Sequence, residues 1–189
     1  MKKAVFLDRD GVINRKAPEG QYVTRWEELE FLPGVHEAVR LFNQSGFFVV
    51  VASNQRCVAK GLITTDELDS LHAQMRREFE AAGARLDAIY YCPHEYEPRC
   101  SCRKPQPGML LDAAQEHEID LTKSWMIGDS GHDIEAGRAA RCRTVRLTVG
   151  DESVVGDPDV VASSLLDATR KILLIEATFQ PPISMLGKA

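Results

Sequence analysis

The sequence predicts an α/β domain: a parallel sheet with helices on both faces. Three observations carry this reading. Short apolar runs alternate with segments of helical periodicity along the chain. The runs are nearly continuously apolar, as expected of strands covered on both sides. The 189 residues, 44% hydrophobic and 27% charged, suit one core of ordinary domain size. Strand–helix alternation then implies right-handed crossovers.

The first strand is Ala4–Leu7, which runs into Asp8. Pro33-Gly34 opens a helix over 35–45, with Gly46 as its C-terminal stop. Residues 47–52 form the second strand and end at Ser53. Thr64 and Glu67 make a capping box for a helix whose inner face is Leu68, Leu71, Met75 and Phe79, closed by Gly83. Further strands are expected at 88–91, 124–127 and 144–147, with an edge strand at 160–161. Helices are expected over 107–117, 132–140 and 163–177. One domain spans 1–178, and the tail 179–189, with Pro181-Pro182, leaves the core.

A net charge of −5 argues against nucleic acid, whose phosphate backbone calls for a basic surface. No apolar run is long enough to span a membrane, and the N-terminal one is too short for a signal-peptide core. A cytoplasmic monomer is expected. In a reducing compartment the five cysteines read as thiols or metal ligands.

The informative residues lie where strands end, because open α/β sheets bind ligands there. Asp8-Arg9-Asp10-Gly11 follows the first strand. One carboxylate can attack phosphorus, and a second can shuttle a proton. Crowding raises carboxylate pKa values, which helps keep one protonated. Gly128-Asp129-Ser130-Gly131-His132-Asp133 follows a later strand and offers hard oxygen ligands for Mg²⁺. Ser53-Asn54-Gln55 provides a hydroxyl and backbone N–H groups, read here as a phosphate cradle at a helix start. Arg103-Lys104 supplies the cations that such an acidic site requires. Each motif alone reads more readily as a turn or cap; their order behind successive strands is what points to chemistry.

These motifs, Asp8-x-Asp10-Gly11, Ser53-Asn54-Gln55, Lys104-Pro105 and Gly128-Asp129…Asp133, resemble the four ordered motifs of the haloacid dehalogenase superfamily of phosphatases. The resemblance covers about residues 4–149. It implies a Rossmann-like fold, with Asp8 as nucleophile and Asp10 as general acid/base. Ser53 and Lys104 would hold the phosphoryl group, Asp8, the Asp10 carbonyl and Asp129 would hold Mg²⁺, and Asp133 would support them. Substrate contacts are expected from these residues and from Arg9, Asn54, Gln55, Arg56, Arg103 and Ser130. The short spacing between motifs leaves no room for a large cap domain, so the site should be open.

Cys92-Pro93-His94 and Cys100-Ser101-Cys102 place three thiols and an imidazole within eleven residues. This is a tetrahedral, closed Zn²⁺ set and therefore structural rather than catalytic. The ion would order a loop over 92–102 that runs directly into Arg103 and Lys104. Cys57 and Cys142 stand outside the pattern as ordinary thiols, Cys57 close to the phosphate loop.

The zinc loop resembles two branches of the superfamily, the heptose bisphosphate 7-phosphatases and the histidinol-phosphate phosphatases. Tyr90-Tyr91-Cys92-Pro93-His94 and the run from Arg103 to Leu110 look more like the heptose branch, which implies a phosphorylated sugar substrate and a place in nucleotide-activated heptose synthesis. Arg56-Cys57-Val58-Ala59-Lys60-Gly61 departs from that branch's usual run, and Ser130 stands where it often has lysine. The cations Arg15, Lys16, Arg56, Lys60 and Arg103 on expected site-facing loops suit a second phosphate, whereas Glu19 would suit the ammonium of histidinol phosphate. Two readings of other classes remain: a phospho-accepting module without turnover, and a zinc-dependent interaction module.

Overall fold

Among the described residues six parallel strands form one sheet in the order β3-β2-β1-β4-β5-β6. The strands are β1 (Ala4–Leu7), β2 (Phe48–Asn54), β3 (Ala88–Cys92), β4 (Trp125–Gly128), β5 (Arg143–Leu147) and β6 (Val160–Ala162). The helices are α1 (Val35–Gln44), α2 (Thr65–Ala81), α3 (Gly108–His117), α4 (Gly131–Ala139) and α5 (Leu165–Phe179). The structure is a computed structural model and describes residues 1–96, 100–148 and 156–179. The expected tail lies outside these residues, apart from Phe179 at the end of α5.

Alternation along the strands divides the core into two layers. Val5, Leu7, Val49, Val51, Trp125 and Ile127 face α1, α2 and α5, against Phe42, Phe79 and Ile172. Ala4, Phe6, Val50 and Met126 face the other side, against Met109, Leu110 and Ala113 of α3. The helix α4 also lies on that side, so close that a Cβ on Gly137 would stand 2.7 Å from that of Met126. Both faces of β1 are fully buried, which explains its unbroken apolar run.

Local sequence sets the helix ends. Thr64 accepts from the Glu67 N–H while Glu67 accepts from the Thr64 N–H at 2.8 Å, the reciprocal cap the sequence predicts. At the far end the Ala84 N–H reaches Phe79 O at 2.9 Å, and Gly83 takes φ 71°.

One expectation fails. Ser53 and Asn54 do not begin a helix; they are the last two residues of β2, and 55–64 is turn and loop before α2. Parallel pairing of Ser53 with Tyr91 and of Asn54 with Cys92 extends the strand past the apolar run. Besides α1 and α2, the connections after β1 and β2 carry only a 3-10 turn at Trp26–Glu28 and loop, with no inserted domain. Among the described residues no helix is long and apolar enough to cross a membrane.

Candidate active site

The carboxyl ends of β1, β2 and β4 meet where the strand order reverses, the crevice in which open α/β sheets bind ligands. A cavity of about 360 Å³ opens there, floored by Asp8, Asp10, Ser53, Lys104 and Asp129 and walled by the loop from Lys16 to Val23. Two glycines let the chain close around it. Gly11 takes φ 94°, and a Cβ there would stand 2.3 Å from Asp129 Oδ2; one on Gly128 would collide with Asp133.

Lys104 is the centre of charge. Its side chain is 2% exposed, and Nζ lies 2.9 Å from Asp8 Oδ1, 2.6 Å from Asp133 Oδ1 and 2.7 Å from Ala52 O. Burial disfavours the ammonium, but Asp133 and Asp8 outweigh it and lift the pKa above its ordinary value. Asn54 fixes the lysine backbone through a reciprocal pair, accepting from the Lys104 N–H at 3.0 Å and donating to Lys104 O at 3.1 Å. Asp133 is held below the usual carboxylate range: burial opposes this, and Lys104 and two donors from Ser130 prevail. Asp8 shows the opposite balance. Its burial, with Asp133 and Asp10 nearby, overcomes Lys104 and raises it to about 7.

Asp10 is gripped by three side chains. Arg9 Nη2 donates to both carboxylate oxygens at 3.1 and 3.0 Å, Asn14 donates at 2.9 Å and Gln55 at 3.0 Å. Burial pushes its pKa up, yet Arg9 and these hydrogen bonds hold it below the usual range. Of the crowded carboxylates, the one with raised proton affinity is therefore Asp8 and not Asp10. The same Gln55 amide donates to Ser53 Oγ at 2.8 Å, and Cys57 Sγ lies 3.5 Å from Gln55 Oε1.

Among the described residues two clusters have metal-binding geometry. Asp8, Asp129 and Asp133 each bring a carboxylate oxygen within 4.8 Å of the others. Asp129 Oδ1 is buried with no hydrogen-bond partner among the described residues. Oxygen donors at this spacing with one orphaned acceptor fit Mg²⁺. Cys92, His94, Cys100 and Cys102 make the second cluster, with separations of 3.3–3.6 Å between His94 Nδ1 and the thiols and between neighbouring thiols. A tetrahedron of Zn–S bonds near 2.3 Å has edges of about 3.7 Å, so the set fits zinc with every position taken. Arg103 donates to His94 O at 3.3 Å, tying the cavity wall to this cluster.

Several residues lie differently from expectation. Arg56 turns away to pair with Glu95 and does not line the cavity. Arg15 pairs with Glu30, and Lys60 stands over the Tyr22 ring. The Arg9 and Gln55 side chains border the cavity but are buried and turned to Asp10, to which both donate, so they brace that carboxylate. Of the five cations on expected site-facing loops, only Lys16 and Arg103 line the cavity. Sequence reasoning missed Lys16 on Asp129, at 2.9 Å, as well as Asn14 and His72. Asn14 had a weak local signal, four residues after Asp10 in a turn closed by the Gly11 N–H on Asn14 O.

The HAD-hydrolase-like family model matches residues 101–168. The D-glycero-beta-D-manno-heptose-1,7-bisphosphate 7-phosphatase of Rhodopseudomonas palustris is 42% identical over 146 residues, 74% of this chain and 79% of that protein. The D-glycero-D-manno-heptose-1,7-bisphosphate 7-phosphatase of Thermosynechococcus vestitus is 37% identical over 190 residues, 90% of this chain and 95% of that one. Among solved structures, the D,D-heptose 1,7-bisphosphate phosphatase from B. bronchiseptica, complexed with magnesium and phosphate, has a TM-score of 0.83 at 32% identity, covering 92% of this chain and 99% of that one.

Proposed function

The chain belongs to the haloacid dehalogenase superfamily of phosphatases, and we propose that it removes the 7-phosphate of D-glycero-D-manno-heptose 1,7-bisphosphate in nucleotide-activated heptose synthesis. It is a phosphoric monoester hydrolase, as its relatives are. The convergence of Asp8, Asp10, Ser53 and Lys104 in one cavity carries the chemistry; the relatives carry the substrate.

Asp8 is the nucleophile. Its Oδ1 is held by Lys104 Nζ and by the Arg9 N–H at 2.8 Å, which leaves Oδ2 to attack phosphorus. The phosphoryl group passes to Asp8 as the bond to the sugar oxygen breaks, and Asp10 delivers the proton to that oxygen. Asp10 then takes a proton from the water that hydrolyses the aspartyl-phosphate. Its lowered pKa keeps it deprotonated in the resting site, the form that accepts a proton in this second half; the arriving phosphate dianion raises its proton affinity for the first. Ser53 and the Lys104 ammonium hold the phosphoryl oxygens. Mg²⁺, held by Asp8, Asp129 and the Asp10 carbonyl, would neutralise phosphate charge when bound. Asp133 orients Lys104. Zn²⁺ on Cys92, His94, Cys100 and Cys102 would fix Arg103 at the cavity wall, where Arg103 and Lys16, the latter paired with Asp129, are the cations within reach of a distal phosphate.

The deciding experiment is phosphate release with Mg²⁺ from both anomers of heptose 1,7-bisphosphate and from histidinol phosphate. A clear kcat/KM preference for a heptose anomer is expected. A preference for histidinol phosphate, whose ammonium Glu19 at the cavity wall could receive, would replace the substrate and leave the mechanism intact.

A further inference from the structure

The inner face of α2 carries Leu68, Leu71, Met75 and Phe79, and His72 interrupts it. His72 is 4% exposed, with its ring 5.5 Å from that of Tyr91, yet it has no part in the chemistry above. Its Nε2 lies 3.2 Å from Arg9 Nη1. A guanidinium can only donate, so Nε2 must be the bare nitrogen and Nδ1 must carry the proton. Nδ1 finds no hydrogen-bond partner among the described residues. A polar ring in an apolar stripe with only one nitrogen used costs stability, so packing does not explain it.

What the ring does is orient Arg9. That side chain is 1% exposed, and its other contacts are Asp10 and Val23 O at 3.5 Å. We propose that His72, as the neutral Nδ1–H tautomer, is a positioning residue that sets the Arg9 guanidinium against both oxygens of Asp10 and so fixes the aim of that carboxylate. Protonated His72 would offer a donor to a donor and turn Arg9 away. Burial, reinforced by Arg9, lowers the imidazole pKa to about 3, so the acceptor is present at neutral pH. The inference rests on the reading of Asp10 as the proton carrier.

The test compares His72→Leu, which suits the apolar face of α2, with His72→Gln, whose Oε1 restores an acceptor near the Nε2 position. Both are assayed on heptose 1,7-bisphosphate and on p-nitrophenyl phosphate, whose leaving group needs no proton. His72→Leu should lower kcat on the sugar ester about tenfold or more with KM within about twofold, and lower it much less on the aryl ester. His72→Gln should recover most of the loss. An unchanged kcat in His72→Leu, an equal loss on both esters, or a Gln variant no better than Leu overturns the proposal. Asp10→Asn run alongside separates the two readings: if it keeps full activity on the sugar ester, the role of Asp10 fails, whatever His72 does. Nitrogen NMR of the His72 ring in the unmodified protein guards against a variant that does not fold. A proton on Nδ1 is expected; one on Nε2 refutes the proposal by itself.

Discussion

Replacing Lys104 by methionine is the most demanding test of the buried charge arrangement. Nζ stands 2.9 Å from Asp8 and 2.6 Å from Asp133 with almost no solvent contact. Without it, two carboxylates whose oxygens lie within 4.8 Å face each other. At an effective dielectric of about 20 their repulsion is about 3.5 kcal/mol. Stranding a buried charge costs about 3–5 kcal/mol by comparison with other broken pairs. Protonating one carboxylate limits the loss. From an ordinary pKa of 3.8, that limit is about 6 kcal/mol at pH 8 and about 2 kcal/mol at pH 5.5. Denaturant unfolding without added magnesium should therefore show Lys104→Met destabilised by about 3–5 kcal/mol at pH 8, or of order 10 °C in Tm, and by less than about 2.5 kcal/mol at pH 5.5. Adding Asp133→Asn should return more than half of the loss. A deficit below about 1 kcal/mol at pH 8, a deficit independent of pH, or no relief from Asp133→Asn would show that the ammonium does not neutralise this pair.

Asp8→Asn should abolish phosphate release by at least about a thousandfold while unfolding within about 1 kcal/mol of the parent, because it removes a charge from an over-acidic cluster; turnover by a well-folded variant would exclude Asp8 as nucleophile. Cys100→Ser, assayed with Mg²⁺ present, should lose bound zinc and raise KM for the bisphosphate, with circular dichroism still reporting the sheet; metal analysis showing no zinc in the parent would remove the loop's role. His72 gives stability a pH dependence. Its folded pKa of about 3 lies below the unfolded 6.5, so below about pH 6.5 the unfolded chain takes up a proton that the native chain refuses. Stability present above pH 6.5 is lost on acidification by up to about 1.4 kcal/mol per pH unit, and His72→Gln should flatten that slope in unfolding curves from pH 6.5 to 4.5.

What the sequence reveals is what has a local signature. Buried parallel strands are written as apolar runs, and β1, β4 and β5 appear within a residue of their observed bounds. The capping box at Thr64 is visible because its partners are three residues apart. The acidic motifs stand out because they interrupt apolar strands. Contacts between distant segments leave no such mark: Lys16 reaches Asp129 across 113 positions and His72 reaches Arg9 across 63. Arg56 looked free because its partner, Glu95, sits on another loop. Hydropathy ends the second strand before Ser53, whereas the strand continues through backbone pairing with β3, which side-chain hydropathy does not report.

The sheet order also governs how the chain is made. Of the strands of this sheet β1 is made first; it is a central one, and its two neighbours arrive at very different times. β2 follows some forty residues later, but β4 begins only at Trp125. At roughly 5–20 residues per second, one edge of β1, with its backbone N–H and C=O groups unpaired, waits roughly 6–24 s for its partner. During that wait the nascent chain carries an open parallel edge of the kind that recruits wrong partners. Asp8 is made long before Asp133, so no part of the nascent chain short of α4 can assemble the charge cluster. The charge cluster and the sheet's central seam are thus completed together, as β4 and α4 are made.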